Sequence, residues 1–180
     1  MCERAVSALS LFPATFYAPT MRAARLLCTM ALVAVVAAGC GATAPPEPSQ
    51  PPGEFVRNLV TELYHGQTGK AWDQLHPLHQ AAVSRSRYIE CERIAPLPGK
   101  ARRIDIVKVV KAKTAIPGQT GKVPSTEVTF RVLLELPGFS SPELITGTAH
   151  VFNVDGRWAW VIGPNDYPAY AAGSCPGPAP

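Results

Sequence analysis

The spacing of apolar and polar positions changes character three times along the chain. Residues 26–38 form an almost unbroken apolar run. Residues 41–53 (GATAPPEPSQPPG) replace it with proline, five in thirteen positions. From residue 54 the apolar side chains return at helical spacing. Phe55, Leu59 and Leu63 recur every four residues with Val56 and Val60 beside them, which predicts a helix over 54–65 ended by Gly66. Thr68 is placed to cap a short second helix that turns Ala71, Trp72 and Leu75 inward. Pro77 interrupts it, and a third helix is expected to run through Ala81 and Val83 toward Tyr88.

After residue 100 the period drops to two. Residues 103–112 read as a strand, and Gly118 to Gly121 as a turn. Over 126–136, Val128, Phe130, Val132, Leu134 and Leu136 share one face, while Glu127, Thr129, Arg131 and Glu135 take the other. Residues 144–154 and 157–162 follow as two more strands. Asp155-Gly156 between them is the strongest hairpin signal in the sequence. A two-residue turn there sets Val154 opposite Arg157, Asn153 opposite Trp158 and Val151 opposite Trp160. Helices first and antiparallel strands afterwards indicate an α+β domain, with helices packed on one face of a curved sheet. The expected organisation is a leader over 1–39, a tether over 40–53, one globular domain over 54–171, and a Pro/Gly-rich tail over 172–180.

The leader carries chemistry of its own. From Met21 the chain reads MRAARLLCTMALVAVVAAGC. Arg22 and Arg25 precede an apolar stretch too short for a comfortable membrane span, which needs ~20 residues, but suited to a secretory signal. Val36-Ala37-Ala38-Gly39-Cys40 resembles the lipobox of bacterial lipoproteins. Small residues let a peptidase reach the Gly39–Cys40 bond, and the Cys40 thiol can form a thioether with diacylglycerol. The resemblance implies a lipid-bearing Cys40 anchored in the bilayer on the extracytoplasmic side. A plain secretory signal and an uncleaved anchor are the competing readings. Residues 1–20 contain Glu3 and two prolines, unlike a positive leader, so Met21 is a candidate true start. The prolines of 41–53 favour extended polyproline over a packed core, hence a semi-rigid spacer.

Charge and cysteine content narrow the picture. The formal net charge is +4, of which residues 1–39 supply +2 through Arg4, Arg22 and Arg25 against Glu3. The remaining +2 gives no basic field of the kind nucleic-acid binders use, so no nucleic-acid partner is expected. Cleavage before Cys40 would leave Cys40, Cys91 and Cys175. With Cys40 on lipid, one pair remains for an oxidising compartment, and a Cys91–Cys175 disulfide is expected. Free thiols and intermolecular pairing are the alternatives. No Cys-His cluster has the spacing of metal ligands, and no cofactor is expected.

FVRNLVTELYHGQTGKAWDQLHP and VFNVDGRWAWV together resemble the opening and closing segments of nuclear transport factor 2-like domains, the group that includes SnoaL-like proteins. The resemblance spans residues 54–165. It implies a bent sheet wrapped round helices, with a pocket at the open end. An extra strand found in many members has no clear counterpart between Glu92 and Ala101. The group contains enzymes, scaffolds and binding modules, so the fold leaves function open.

Acid–base members use Asp, His or Tyr in the pocket. Here the candidates are His65, His76, His79, His150, Asp73, Asp105 and Tyr88. His150 is the sharpest, mid-strand with Phe152 and Val154 as alternation partners; it is either a hydrogen-bonded structural residue or a proton-transfer group. His76 and His79 flank Pro77 and are expected at the surface. Trp72, Trp158 and Trp160 either line a pocket for an apolar ligand or pack the core. Lys108, Lys111 and Lys113, with Arg102 and Arg103, mark an edge strand guarded by charge or a patch for anionic headgroups and wall polymers. Phosphate loops, nucleophile elbows and paired carboxylates are missing from the sequence. The leading expectation is a non-enzymatic, membrane-tethered envelope domain that binds a protein or a small apolar ligand. An enzyme acting through His150 and a structural accessory of the wall are the alternatives.

Overall fold

The computed structural model describes residues 46–177. Helix α1 (Pro52–Tyr64) buries Phe55, Val56, Leu59 and Val60, the stripe set by the four-residue spacing. Pro52 stands in its first turn, where a missing N–H leaves no hydrogen bond unmade. Gly66, at φ 67°, turns the chain away after the last turn.

Three short helices follow: α2 (Thr68–Asp73), α3 (Pro77–Ala82) and α4 (Arg85–Ile94). Two expectations are corrected here. Gln67, without a capping bond from its side chain, occupies the cap position expected for Thr68. The single helix expected to reach Tyr88 is two helices. Between them Val83 is extended (φ −134°, ψ 124°), and the Ser84 hydroxyl accepts the Arg87 N–H at 3.3 Å. A β-branched residue that prefers extended backbone and a serine able to cap the next turn outweigh the continuation of a polar helix.

The sheet has four strands in the order β1-β2-β3-β4, every neighbour antiparallel. They are β1 (Lys100–Ala115), β2 (Lys122–Glu135), β3 (Glu143–Val154) and β4 (Arg157–Trp160). Helices followed by an antiparallel sheet make the domain α+β. Strand β1 has register shifts between Ala101 and Arg103 and between Ile106 and Lys108. Such bulges change which residues face inward. Ile106 pairs with Phe130, yet beyond the bulge it is odd-numbered Val109 that pairs with buried Val128. The β3–β4 hairpin has the expected register, Val154 with Arg157, Asn153 with Trp158 and Val151 with Trp160. Asp155 (φ 50°) and Gly156 (φ 79°) are both left-handed, as a two-residue turn of this hand requires.

Two apolar clusters form the core. In the first, α1 packs Phe55, Val56, Leu59 and Val60 onto Val128, Val132, Leu134 and Val151 of the sheet. The second gathers Leu75, Val83, Tyr88, Cys91, Ile162 and Tyr170. Trp160 packs against both. Each large side chain so buried contributes about 1.5–3 kcal/mol.

The folded unit runs past both boundaries drawn from the sequence. Within the stretch read as tether, the Pro46 carbonyl accepts from Asn153 Nδ2 at 2.8 Å and the Gln50 carbonyl from Trp158 Nε1 at 2.7 Å. Proline lacks a donor but keeps its acceptor, so a proline-rich segment can still be strapped to a hairpin through its carbonyls. Beyond the sheet lies a helix that the apolar spacing did not announce, α5 (Tyr167–Ala171). Cys91 and Cys175 stand at disulfide distance, Sγ–Sγ 2.04 Å across 84 positions of sequence. Among the described residues, no helix is long and apolar enough to cross a membrane.

Candidate functional site

The sequence offered His150 as its sharpest candidate. Its ring lies across the strand pair from Glu127, with Nε2 3.8 Å from Oε2. Nδ1 is 3.3 Å from the Ser125 hydroxyl. Serine, histidine and glutamate thus line up on one sheet face, a grouping the sequence reading missed because only strand register brings residues 125, 127 and 150 together. As a nucleophilic array it is poorly built. The His–Glu separation exceeds hydrogen-bonding length, Ser125 is only 8% exposed, and none of the three lines either principal cavity. Asp105, another of the candidates, is paired with Arg103 at 2.8 Å.

The other histidines divide. His65 is exposed. His76 caps α3, its Nδ1 accepting the Leu78 N–H. His79, expected at the surface, is fully buried. Its Nδ1 accepts the Ile162 N–H at 2.9 Å, so the proton sits on Nε2, which donates to the Pro117 carbonyl at 3.1 Å. Tyr167 lies against its ring, centroids 4.5 Å apart. The expectation failed because α3 is sandwiched between segments distant in sequence. Burial holds the pKa of His79, and of His76, below the ordinary imidazole value. His79 is a neutral clamp of the fold. Among the described residues, no group of three His, Cys, Asp or Glu is placed to hold a metal ion.

The three tryptophans do not share one pocket. Each indole N–H is bound to a backbone carbonyl: Trp72 to Val83, Trp158 to Gln50 and Trp160 to Ala71. Trp158 borders a cavity of about 410 Å³ that also touches Phe55, Glu62 and Gln74. Trp160 borders a larger one, about 650 Å³. Trp72 borders neither. Of the basic residues on β1, Arg102 is paired with Glu135 and Arg103 with Asp105, while Lys108, Lys111 and Lys113 are exposed along the edge of the sheet.

The larger cavity is the best-built candidate site. Its apolar wall comes from Leu63, Trp160 and Ile162, and its rim from Ile94, Pro96 and Leu97. Ile94 and Leu97 are 62% and 42% exposed, large apolar side chains left open at the mouth. Tail residues Pro176 and Gly177 close one side, held there by the Cys91–Cys175 pair. The polar lining is Tyr88, Glu92, Asp166 and Tyr170. The Tyr170 hydroxyl donates to Glu92 Oε1 at 2.8 Å. Tyr88 is 2% exposed, and its hydroxyl has no hydrogen-bond partner among the described residues. Burial is the main cause that raises both tyrosine hydroxyls above their ordinary range, with Glu92 adding to it. Burial also raises the Glu92 carboxyl, against the bond from Tyr170 and with help from Asp166. Of this group the sequence reading named Tyr88 alone; Glu92 and Tyr170 meet across 78 positions, which no local pattern encodes.

No family model, curated protein or solved structure matches this chain.

The raised carboxyl makes a stability prediction. A folded-state pKa above the unfolded value near 4.5 means the fold prefers Glu92 protonated. That preference contributes stability below pH 4.5 and is lost as pH rises through the folded value. Glu92→Gln keeps an acceptor for Tyr170 and removes the charge. At pH 7 the variant melts above the parent, and at pH 4 the two coincide. Equal melting at pH 7 would refute a strained carboxylate here.

Proposed function

We propose that the protein is a lipid-anchored component of the bacterial cell envelope whose domain holds a small apolar ligand, or an apolar segment of an envelope protein, without acting on it chemically. The observation that carries the binding half is the 650 Å³ cavity, apolar at wall and mouth, with four polar side chains in its lining. That combination suits capture of a mostly apolar molecule in a fixed orientation. The anchoring half is supported by the leader and by Cys40 in its lipobox-like setting. We take the domain to be nuclear transport factor 2-like, on the strength of its helices-then-sheet order and its terminal Asp-Gly hairpin with Trp158 and Trp160.

The strap at Pro46 bears on how the domain would sit. If Cys40 is in the bilayer, five residues separate it from Pro46, a reach of at most ~20 Å. The domain then rides close to the headgroups, and the spacer role expected of the whole 41–53 stretch falls to residues 41–45.

The runner-up is an enzyme using His150 as acid or base. The line from Ser125 through His150 to Glu127 favours it; the absence of all three from the linings of both cavities argues against it.

Metabolic labelling tests the anchor. Palmitate enters the native chain and is absent from Cys40→Ser, which also leaves the membrane fraction. A purified native chain with an unmodified Cys40 thiol would overturn the reading.

A further inference from the structure

Resting on the cavity reading above, we infer that the ligand carries a cationic amine on its apolar body, received by Glu92 and Asp166. The polar groups lining the cavity are two carboxyls and two phenols, and no Lys, Arg or His side chain lines it. No cation sits among the groups that perturb Glu92; those are its burial, the Tyr170 hydroxyl and Asp166. The fold therefore gathers acids in a half-enclosed apolar site and leaves their charge uncompensated.

An anionic ligand would meet repulsion there. A neutral one would leave the buried acid without a counter-charge. An ammonium group in the cavity can donate to Glu92 and to Asp166, with the aromatic faces of Tyr88 and Trp160 as further partners. The Tyr88 hydroxyl is the independent sign of a missing partner. The side chain is 2% exposed as a whole and lines the same cavity, and its hydroxyl bonds to nothing among the described residues. That hydroxyl, open to the cavity, is available to pair with a polar group of a ligand. The apolar rim of Ile94 and Leu97 would cover the body of the same molecule.

The test uses three probes that share one body: 4-phenylbutylamine, 4-phenylbutanol and 4-phenylbutyrate. Binding to the full-length chain in lipid nanodiscs is measured by equilibrium dialysis at pH 7, with empty discs as the blank. A charge-assisted hydrogen bond predicts that the amine binds about 10-fold tighter than the alcohol, and that the acid binds weakest. Glu92→Gln removes most of the preference for the amine while alcohol binding persists, with thermal melting confirming that the variant folds. Asp166→Asn, on an exposed residue, reduces the preference in part.

Amine and alcohol binding equally, or the acid binding tightest, overturns the inference while leaving the cavity as an apolar site. An amine preference that survives both substitutions overturns it as well. Failure of all three probes to bind overturns the cavity reading along with it.

Discussion

Cys91→Ser or Cys175→Ser lowers the melting temperature of the domain by roughly 15 °C. The two cysteines close a loop across 84 positions, and cross-linking a loop of that length removes about 4.5 kcal/mol of unfolded-chain entropy. For a domain of this size each kcal/mol moves the midpoint by ~3–4 °C. The pair also fastens the tail. Tyr170 lies in the second core cluster with Cys175 against it, and Pro176 and Gly177 line the large cavity. Loss of the bond therefore loosens the cavity wall as well as the fold, and ligand binding declines with it. Reducing agent reproduces the effect in the native chain and changes nothing in either serine variant. Identical melting with and without reductant would show that the pairing does not hold the domain together.

The second large effect is at His79. In His79→Leu the side-chain volume is nearly kept, but the Ile162 N–H and the Pro117 carbonyl lose their partner. Each buried group left unpaired costs about 1–3 kcal/mol, so the variant is destabilised by ~3 kcal/mol. Urea denaturation at pH 7.5 measures this; a loss under 1 kcal/mol would contradict the clamp. The pH dependence has a definite sign. Burial depresses the folded-state pKa of His79 below its unfolded value of 6.5. The unfolded chain then takes up a proton before the folded one does. Stability is complete above pH 6.5 and declines as pH falls from there through the folded value. His76, depressed for the same reason, adds to the slope. His79→Leu flattens the profile between pH 7 and pH 5. Glu92 acts with the opposite sign, because its raised pKa favours the fold toward acid, in the window above pH 4.5.

Much of the architecture was readable one segment at a time. The α1 stripe follows from apolar residues four apart, and the β2 face from apolar residues at every second position from Val128 to Leu134, with Leu133 the exception. Asp155-Gly156 set the β3–β4 register because few residue pairs accept two consecutive left-handed conformations. Cys91 and Cys175 stand at disulfide distance, the pair that the cysteine count and an expected oxidising compartment singled out. Errors arose where a local preference met a competing one, as at Val83 and Ser84, or where the answer lay in distant segments. His79 looked like a surface residue because its buried partners, Pro117 and Ile162, are 38 and 83 positions away.

The sequence by itself determined the α1 helix, the order of helices before antiparallel strands and the hairpin register, since backbone preference and hydrophobic period act over a few neighbouring residues. The tertiary structure alone decided the site. Glu92 comes from α4, Asp166 and Tyr170 from α5 and the turn before it, and Trp160 from the end of β4. Their meeting depends on α5 docking against α4 beside the Cys91–Cys175 pair. Charge, burial and hydrogen bonding at such a junction depend on which surfaces close over one another, a property of packing that no stretch of the chain carries alone.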